Sequence, residues 1–201
     1  MQLELELGGG EHCTFMLDAA TADTLKIADG KLLTDVEYNT IERTHQALEW
    51  IGRLQRFLAY RMRSSGEVRM RLRRLGASNE IIDTVINILT AHSRLDDEGF
   101  AHAFVRDCLR FRSLSAQAIR QKLLAKGVPA EIADRAIASE YPSEVDLERA
   151  RALAQKALRR SSSAPFQHRY RRIRDRLLRQ GFSPAMVRRV LDELFDSAEP
   201  Q

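Results

Sequence analysis

Six arginines crowd one short stretch of this chain, Arg169, Arg171, Arg172, Arg174, Arg176 and Arg179, with Tyr170 among them. A guanidinium is a permanently charged planar fork that meets phosphate or carboxylate oxygens two at a time, so a run of them suits contact with a polyanion. The tyrosine adds a ring on which a base can stack. Ile173 and Leu177 make the run amphipathic, so some of these arginines must border a core. Arg61 and Arg63 form a second, smaller patch, and Lys126 stands alone before Gly127. The competing reading is that such cations lay their apolar stems over a core edge and keep a helical surface soluble.

Bond-breaking chemistry has little to draw on. No phosphate loop, nucleophile elbow or zinc-protease pattern occurs. Glu98 and His102 lie four apart beside Asp96 and Asp97, which is a conceivable metal cluster. Helix capping and the helix dipole account for these acids without an ion. His12, His45, His92 and His168 form no constellation, and Cys13 and Cys108 have no metal-ligand spacing. Cys108 reads as a buried free thiol on the apolar face of its segment. The expectation is a non-enzyme with no catalytic residues, metal or cofactor.

The elements that would position the arginines are announced by three glycines, Gly76, Gly127 and Gly181. Val68, Ile119 and Ile173 stand eight residues before them, and Leu72, Leu123 and Leu177 stand four before. Ile81, Ile132 and Met186 follow at five after, then Ile86, Ile137 and Leu191 at ten after. Such spacing predicts two helices joined by a glycine turn, used three times. Ser78, Pro129 and Ser183 are placed to start the helix after each turn. An interval of about fifty residues marks a repeat array. In the same register, Arg69, Arg120 and Arg174 lie seven before the glycines, and Arg71, Lys122 and Arg176 lie five before. Both columns flank the apolar stripe, and stacking would align them into two basic tracks.

Around this frame, Leu3, Leu5 and Leu7 alternate with polar residues, Gly8–Gly10 turn the chain, and residues 12–17 return, which predicts a β-hairpin followed by a short helix over 19–27. Thr34 with Glu37, and Ser64 with Glu67, read as capping boxes, and Ser115 as another helix cap. Trp50, Leu54, Phe57 and Leu58 form a stripe, either in the helix opened at Thr34 or after a kink. The expected architecture is mainly α: an elongated tandem array of three three-helix repeats (47–91, 92–142 and 143–197) behind a hairpin-and-helix extension (1–46). Ser143 and Asp146 would open the third repeat, residues 160–165 insert a polar loop, and the tail after Phe195 would fray. Residues 1–46 hold three basic against nine acidic side chains, whereas residues 146–201 hold thirteen against seven, so an acidic head precedes a basic tail. With no long apolar run and no basic, apolar leader, a cytoplasmic protein away from membranes is expected.

Leu95-Asp96-Asp97-Glu98-Gly99-Phe100-Ala101 resembles the LDDxxFA signature of the RecX family of recombinase regulators. Residues 59–64 and 123–128 resemble further family segments, and the likeness runs over about 47–195 in order and with matching spacing. Gly99 departs from the pattern, as does the 160–165 insertion. In the signature, Asp96 and Asp97 read as a helix start, and Phe100 and Ala101 as inward-facing. The resemblance implies a monomeric modulator of RecA that lies along the groove of the RecA–DNA filament. It also implies suppression of ATP hydrolysis, strand exchange and co-protease activity, hence a part in homologous recombination, DNA repair and the SOS response. Partners would be the RecA nucleoprotein filament and single- and double-stranded DNA. Two other readings stay open: a tandem helix-turn-helix-like DNA-binding array without RecA specificity, and a helical scaffold.

Overall fold

A computed structural model describes residues 1–7, 11–142, 145–160 and 165–196. Each of the three glycines sits at positive φ, 90° at Gly76, 74° at Gly127 and 85° at Gly181. Around each, the amide after the glycine donates to the carbonyl of the buried leucine: Ala77 to Leu72 at 3.1 Å, Val128 to Leu123 at 3.1 Å, Phe182 to Leu177 at 3.3 Å. This is the Schellman closure, in which glycine alone avoids the Cβ penalty of the left-handed residue.

The helices on either side are α3 (Ser65–Arg74) and α4 (Asn79–Ala91), α6 (Ala116–Ala125) and α7 (Ala130–Glu140), and α9 (Phe166–Arg179) and α10 (Pro184–Asp196). Ser64, Ser78, Ser115 and Ser183 each accept a backbone N–H three residues on, at 3.1–3.3 Å. Pro129 takes the cap position itself, φ −55° and ψ 144°, and offers no side-chain bond. A long helix precedes each pair: α2 (Asp35–Tyr60), α5 (Asp97–Phe111) and α8 (Val145–Arg159). The capping box at Thr34 and Glu37 opens α2, which runs unbroken through Trp50 and Leu54, so both stripes belong to one helix.

The chain divides into two compact units, residues 1–96 and 97–201. In the first, β1 (Gln2–Leu7) and β2 (Glu11–Met16) pair antiparallel, Gln2 opposite Met16, and the short helix α1 (Ala19–Leu25) follows. α1 stops before the sequence-based limit because Lys26 turns left-handed at φ 50°. The hairpin lies on α2. Phe15 meets Tyr38 and His45 edge-on at 5.9 and 5.5 Å, and the Met16 amide donates to His45 Nδ1 at 2.9 Å. The proposed turn at Gly8–Gly10, the start at Ser143, residues 161–164 of the insertion and the tail from 197 lie outside the described residues.

Each repeat has its own core. Val68, Ile119 and Ile173 and Leu72, Leu123 and Leu177 are all fully buried, as their shared register requires. On the third helices, positions six and nine after the glycine (Ile82 and Val85, Ala133 and Ala136, Val187 and Val190) are buried in every repeat, and at positions five and ten Ile81, Ile86 and Leu191 are buried as well. Ile132, Ile137 and Met186 only pack against the edge. Leu95 belongs to the first repeat's core and Phe100 and Ala101 to the second's, so the LDDxxFA segment faces inward at both ends.

In the second unit, the joint between its two repeats is made of polar bonds. Ser115 Oγ, while capping α6, donates to the Gly181 carbonyl at 2.7 Å, and the Ser115 amide donates to Gln180 O at 3.0 Å. A Cβ built at Gly181 would lie 2.6 Å from Ala118 Cβ, whereas one at Gly76 meets nothing within 4 Å. Gly181 is therefore both a turn and a close-approach position. Asp146 accepts from the Ala116 amide at 3.2 Å and from the Tyr141 hydroxyl at 2.5 Å. Burial and the Asp146 carboxylate hold that phenol protonated, far above the ordinary tyrosine range. Arg149 reaches from α8 to the end of α5, donating to Leu109 O at 2.9 Å, Cys108 O at 3.0 Å and Arg112 O. It thereby caps Leu109 O and Arg112 O at the helix C-terminus and adds a second bond to Cys108 O, which the Arg112 amide already reaches.

Candidate functional site

The two basic columns separate in the folded chain. Seven before the glycine, the arginine bonds an aspartate seven after it on the next helix. Arg69 pairs with Asp83, and Arg120 holds both oxygens of Asp134 at 2.6 and 3.0 Å. That ion pair raises the Arg120 pKa and lowers that of Asp134. In the third repeat the position seven after Gly181 is Arg188, and Arg174 turns instead to its neighbour Asp175 at 2.9 and 3.1 Å. The aspartates carry a signal readable in register, since both stand seven beyond a glycine. Sequence reasoning passed over them because they do not belong to the basic pattern.

Five before the glycine, Arg71 and Lys122 are exposed and Arg176 is half-buried, and none of the three has an ion-pair partner among the described residues. Arg171, Arg172 and Arg179 on α9 are likewise exposed and unpaired among the described residues. Arg169 is half-buried, its Nε enclosed without a hydrogen-bond partner. The part of the α9 run without an ion pair among the described residues is thus Arg171, Arg172, Arg176 and Arg179, with Arg169 at the core edge.

The cations of the smaller patches have partners within the chain. Arg61 grips Glu67 with two bonds of 3.0 and 2.8 Å, which raises its pKa, and also donates to Met62 O. Arg63 donates from Nε to Phe57 O at 3.1 Å and sits 3.9 Å from the Phe57 ring centroid. Burial, then the nearby Arg61 charge, pulls its pKa down. Both arginines tie the end of α2 to the start of α3. Lys126 places its ammonium 6.0 and 5.7 Å from the Phe100 and Phe104 rings, over the signature's own aromatic.

Two members of the conceivable metal cluster, Glu98 and His102, have partners on other helices. Glu98 pairs with Arg135 at 3.3 Å, while His102 Nδ1 lies 2.9 Å from Glu140, which Arg106 also holds at 2.6 Å. The His102 contact, then Arg106, lowers the Glu140 pKa. Cys108 is a buried free thiol whose pKa burial raises. No helix among the described residues is long and apolar enough to cross a membrane.

The arrangement offers anion contacts in every repeat and, outside the third, neutralises one column internally. Comparison with known proteins adds its own evidence. Models for the three-helix domains of RecX match in order, the first over residues 54–89, the second over 96–137 and the third over 144–191. A regulatory protein RecX of Geobacillus kaustophilus is 31% identical over 167 residues, 83% of this chain and 60% of that protein. One of Limosilactobacillus reuteri is 25% identical over 169 residues, 84% and 64%. The chain therefore spans less than two thirds of the length of these relatives. A crystal structure of regulatory protein RecX superposes with a TM-score of 0.69 at 23% identity, over 92% of this chain and 90% of that one, a likeness of fold alone. The structure of RecX from Lactobacillus salivarius gives 0.61 at 26%, over 74% and 96%.

Proposed function

The chain belongs to the RecX family, and from that premise we propose that it restrains the RecA recombinase by binding along the RecA–DNA filament through its basic helix faces. One observation carries the choice of faces: the column of Arg71, Lys122 and Arg176 is unpaired among the described residues in all three repeats, at one fixed distance from the glycine turn. A cation kept out of internal ion pairs three times over remains available to an external anion. Contacts distributed over successive repeats would bridge neighbouring protomers and oppose the movements that ATP turnover requires. Filament contacts and free DNA then share the same arginines.

The test is RecA ATP hydrolysis on single-stranded DNA with the chain titrated below one copy per protomer. Inhibition at substoichiometric amounts is expected. Reversing Arg171, Arg172 and Arg176 to Glu should weaken it at least about tenfold at low salt, where phosphate contacts count most. Full inhibition by the folded triple variant would remove these residues from the interface, and none by the wild type at saturation would sink the regulator reading.

A further inference from the structure

The third repeat departs from the other two at every position along one seam. Where repeats 1 and 2 close the second and third helices with an arginine–aspartate bridge, repeat 3 sets Arg174 on α9 against Arg188 on α10, the same two places in the register. Arg188 is exposed and has no ion-pair partner among the described residues. One turn earlier on α9 stands Tyr170, and one turn before that Phe166, so all three residues follow one face at i, i+4 and i+8. Phe195, two turns beyond Arg188 on α10, meets both rings, at 5.0 Å from Phe166 and 5.7 Å from Tyr170. Phe166 keeps 53% of its surface open. At the positions of Tyr170 and Phe195 the first repeat has Ser65 and Thr90. The second has Ala116 and Tyr141, whose hydroxyl is spent inside the joint on Asp146.

We infer that the α9–α10 seam of the third repeat is a binding site for single-stranded nucleic acid, with backbone phosphates on Arg174 and Arg188 and a base against the open face of Phe166. Arg188 neutralises nothing of its own and Arg174 holds only its chain neighbour Asp175. The two leave a place for a doubly contacted anion, and guanidinium forks match phosphate oxygens. The exposed ring selects the single strand, because only unpaired bases present a face for stacking. An acidic protein segment would satisfy the arginines but has no use for the ring. α9 carries six arginines against Asp175 alone, which draws the strand along the helix. The site deepens the nucleic-acid half of the proposed function and rests on it.

The test uses the full chain, a labelled oligothymidylate of about 10 nucleotides, a duplex of the same length, and polyglutamate as competitor, read by fluorescence anisotropy without recombinase. Arg188→Asp rebuilds the bridge that repeats 1 and 2 already hold, so it should fold and melt like the wild type. It is expected to weaken the single strand about tenfold and flatten the salt dependence by about 1.4, roughly 0.7 for each of two phosphates. Phe166→Ala should weaken the single strand about fivefold or more and leave the duplex unchanged. Wild-type affinity in Arg188→Asp, equal loss of both nucleic acids in Phe166→Ala, or displacement by polyglutamate at matched charge would each overturn the site. Recombinase ATPase, run separately, distinguishes the two claims: oligonucleotide binding without ATPase inhibition retains the site and removes the regulator reading, and the converse removes the site alone.

Discussion

Arg151 and Arg189 both close on Glu193, Arg151 with bonds of 2.7 and 2.9 Å and Arg189 with one of 3.0 Å. The Arg151 bonds first, then that of Arg189, hold the Glu193 carboxyl at about 2, against an ordinary 4.5. A depressed folded pKa means that the stabilisation is complete above the unfolded value and is lost as pH falls through the folded one. The melting temperature of the wild type should therefore exceed that of Glu193→Gln at neutral pH, and the gap should close between about pH 4.5 and pH 2. A gap that stays constant across that range in thermal melts would mean that the carboxylate charge contributes nothing. At this scale the sequence was a partial guide. It placed Arg69, Arg71, Arg120 and Lys122 in their columns, but which column is free depends on Asp83 and Asp134, on the other helix of each pair. Composition around an arginine says little about its partner fourteen residues away.

The glycine turns were fully legible, because a left-handed residue, a serine or proline helix start and a buried leucine four residues back are all local requirements. Their energetic inequality was not. Gly76 and Gly181 share a positive φ, so alanine strains both, by about 1–2 kcal/mol for the left-handed conformation. At Gly181 the new methyl must also displace Ala118 and Ser115, and overpacking of this kind adds about 1–3 kcal/mol. Urea denaturation of Gly181→Ala should thus show a clearly larger loss than Gly76→Ala. Equal losses would show that α6 yields to the methyl without cost. The difference comes from a neighbour more than sixty residues away in the chain, which no periodicity reveals. The same holds for Arg149, an unremarkable arginine of α8 in sequence and a helix cap for α5 in the fold. The contacts of Arg63 were hidden for a related reason: its ring partner Phe57 and carbonyl acceptor lie back across a helix end.

The molecule as a whole carries separate cores, one per repeat and a small one under the hairpin, grouped in two compact units. Nature has supplied a probe in each unit: Trp50, the lone tryptophan, lies in the first, and the buried Cys108 in the second. In a Cys13→Ser background, Arg149→Met should lower the unfolding free energy read by Cys108 labelling by about 1–3 kcal/mol, the cost of carbonyls left unsatisfied, with the Trp50 fluorescence midpoint unmoved. Coincident shifts of both probes would instead mark one cooperative whole. The hydroxyl of Ser115 finally ties this architecture to its manufacture. Its acceptor, Gly181 O, lies 66 residues downstream. At about 5–20 residues per second of translation, the ribosome finishes the serine about 3–13 s before it supplies the glycine. During those seconds the second repeat waits with its Ser115 flank open, and this joint can close only after the third repeat's glycine turn has been made.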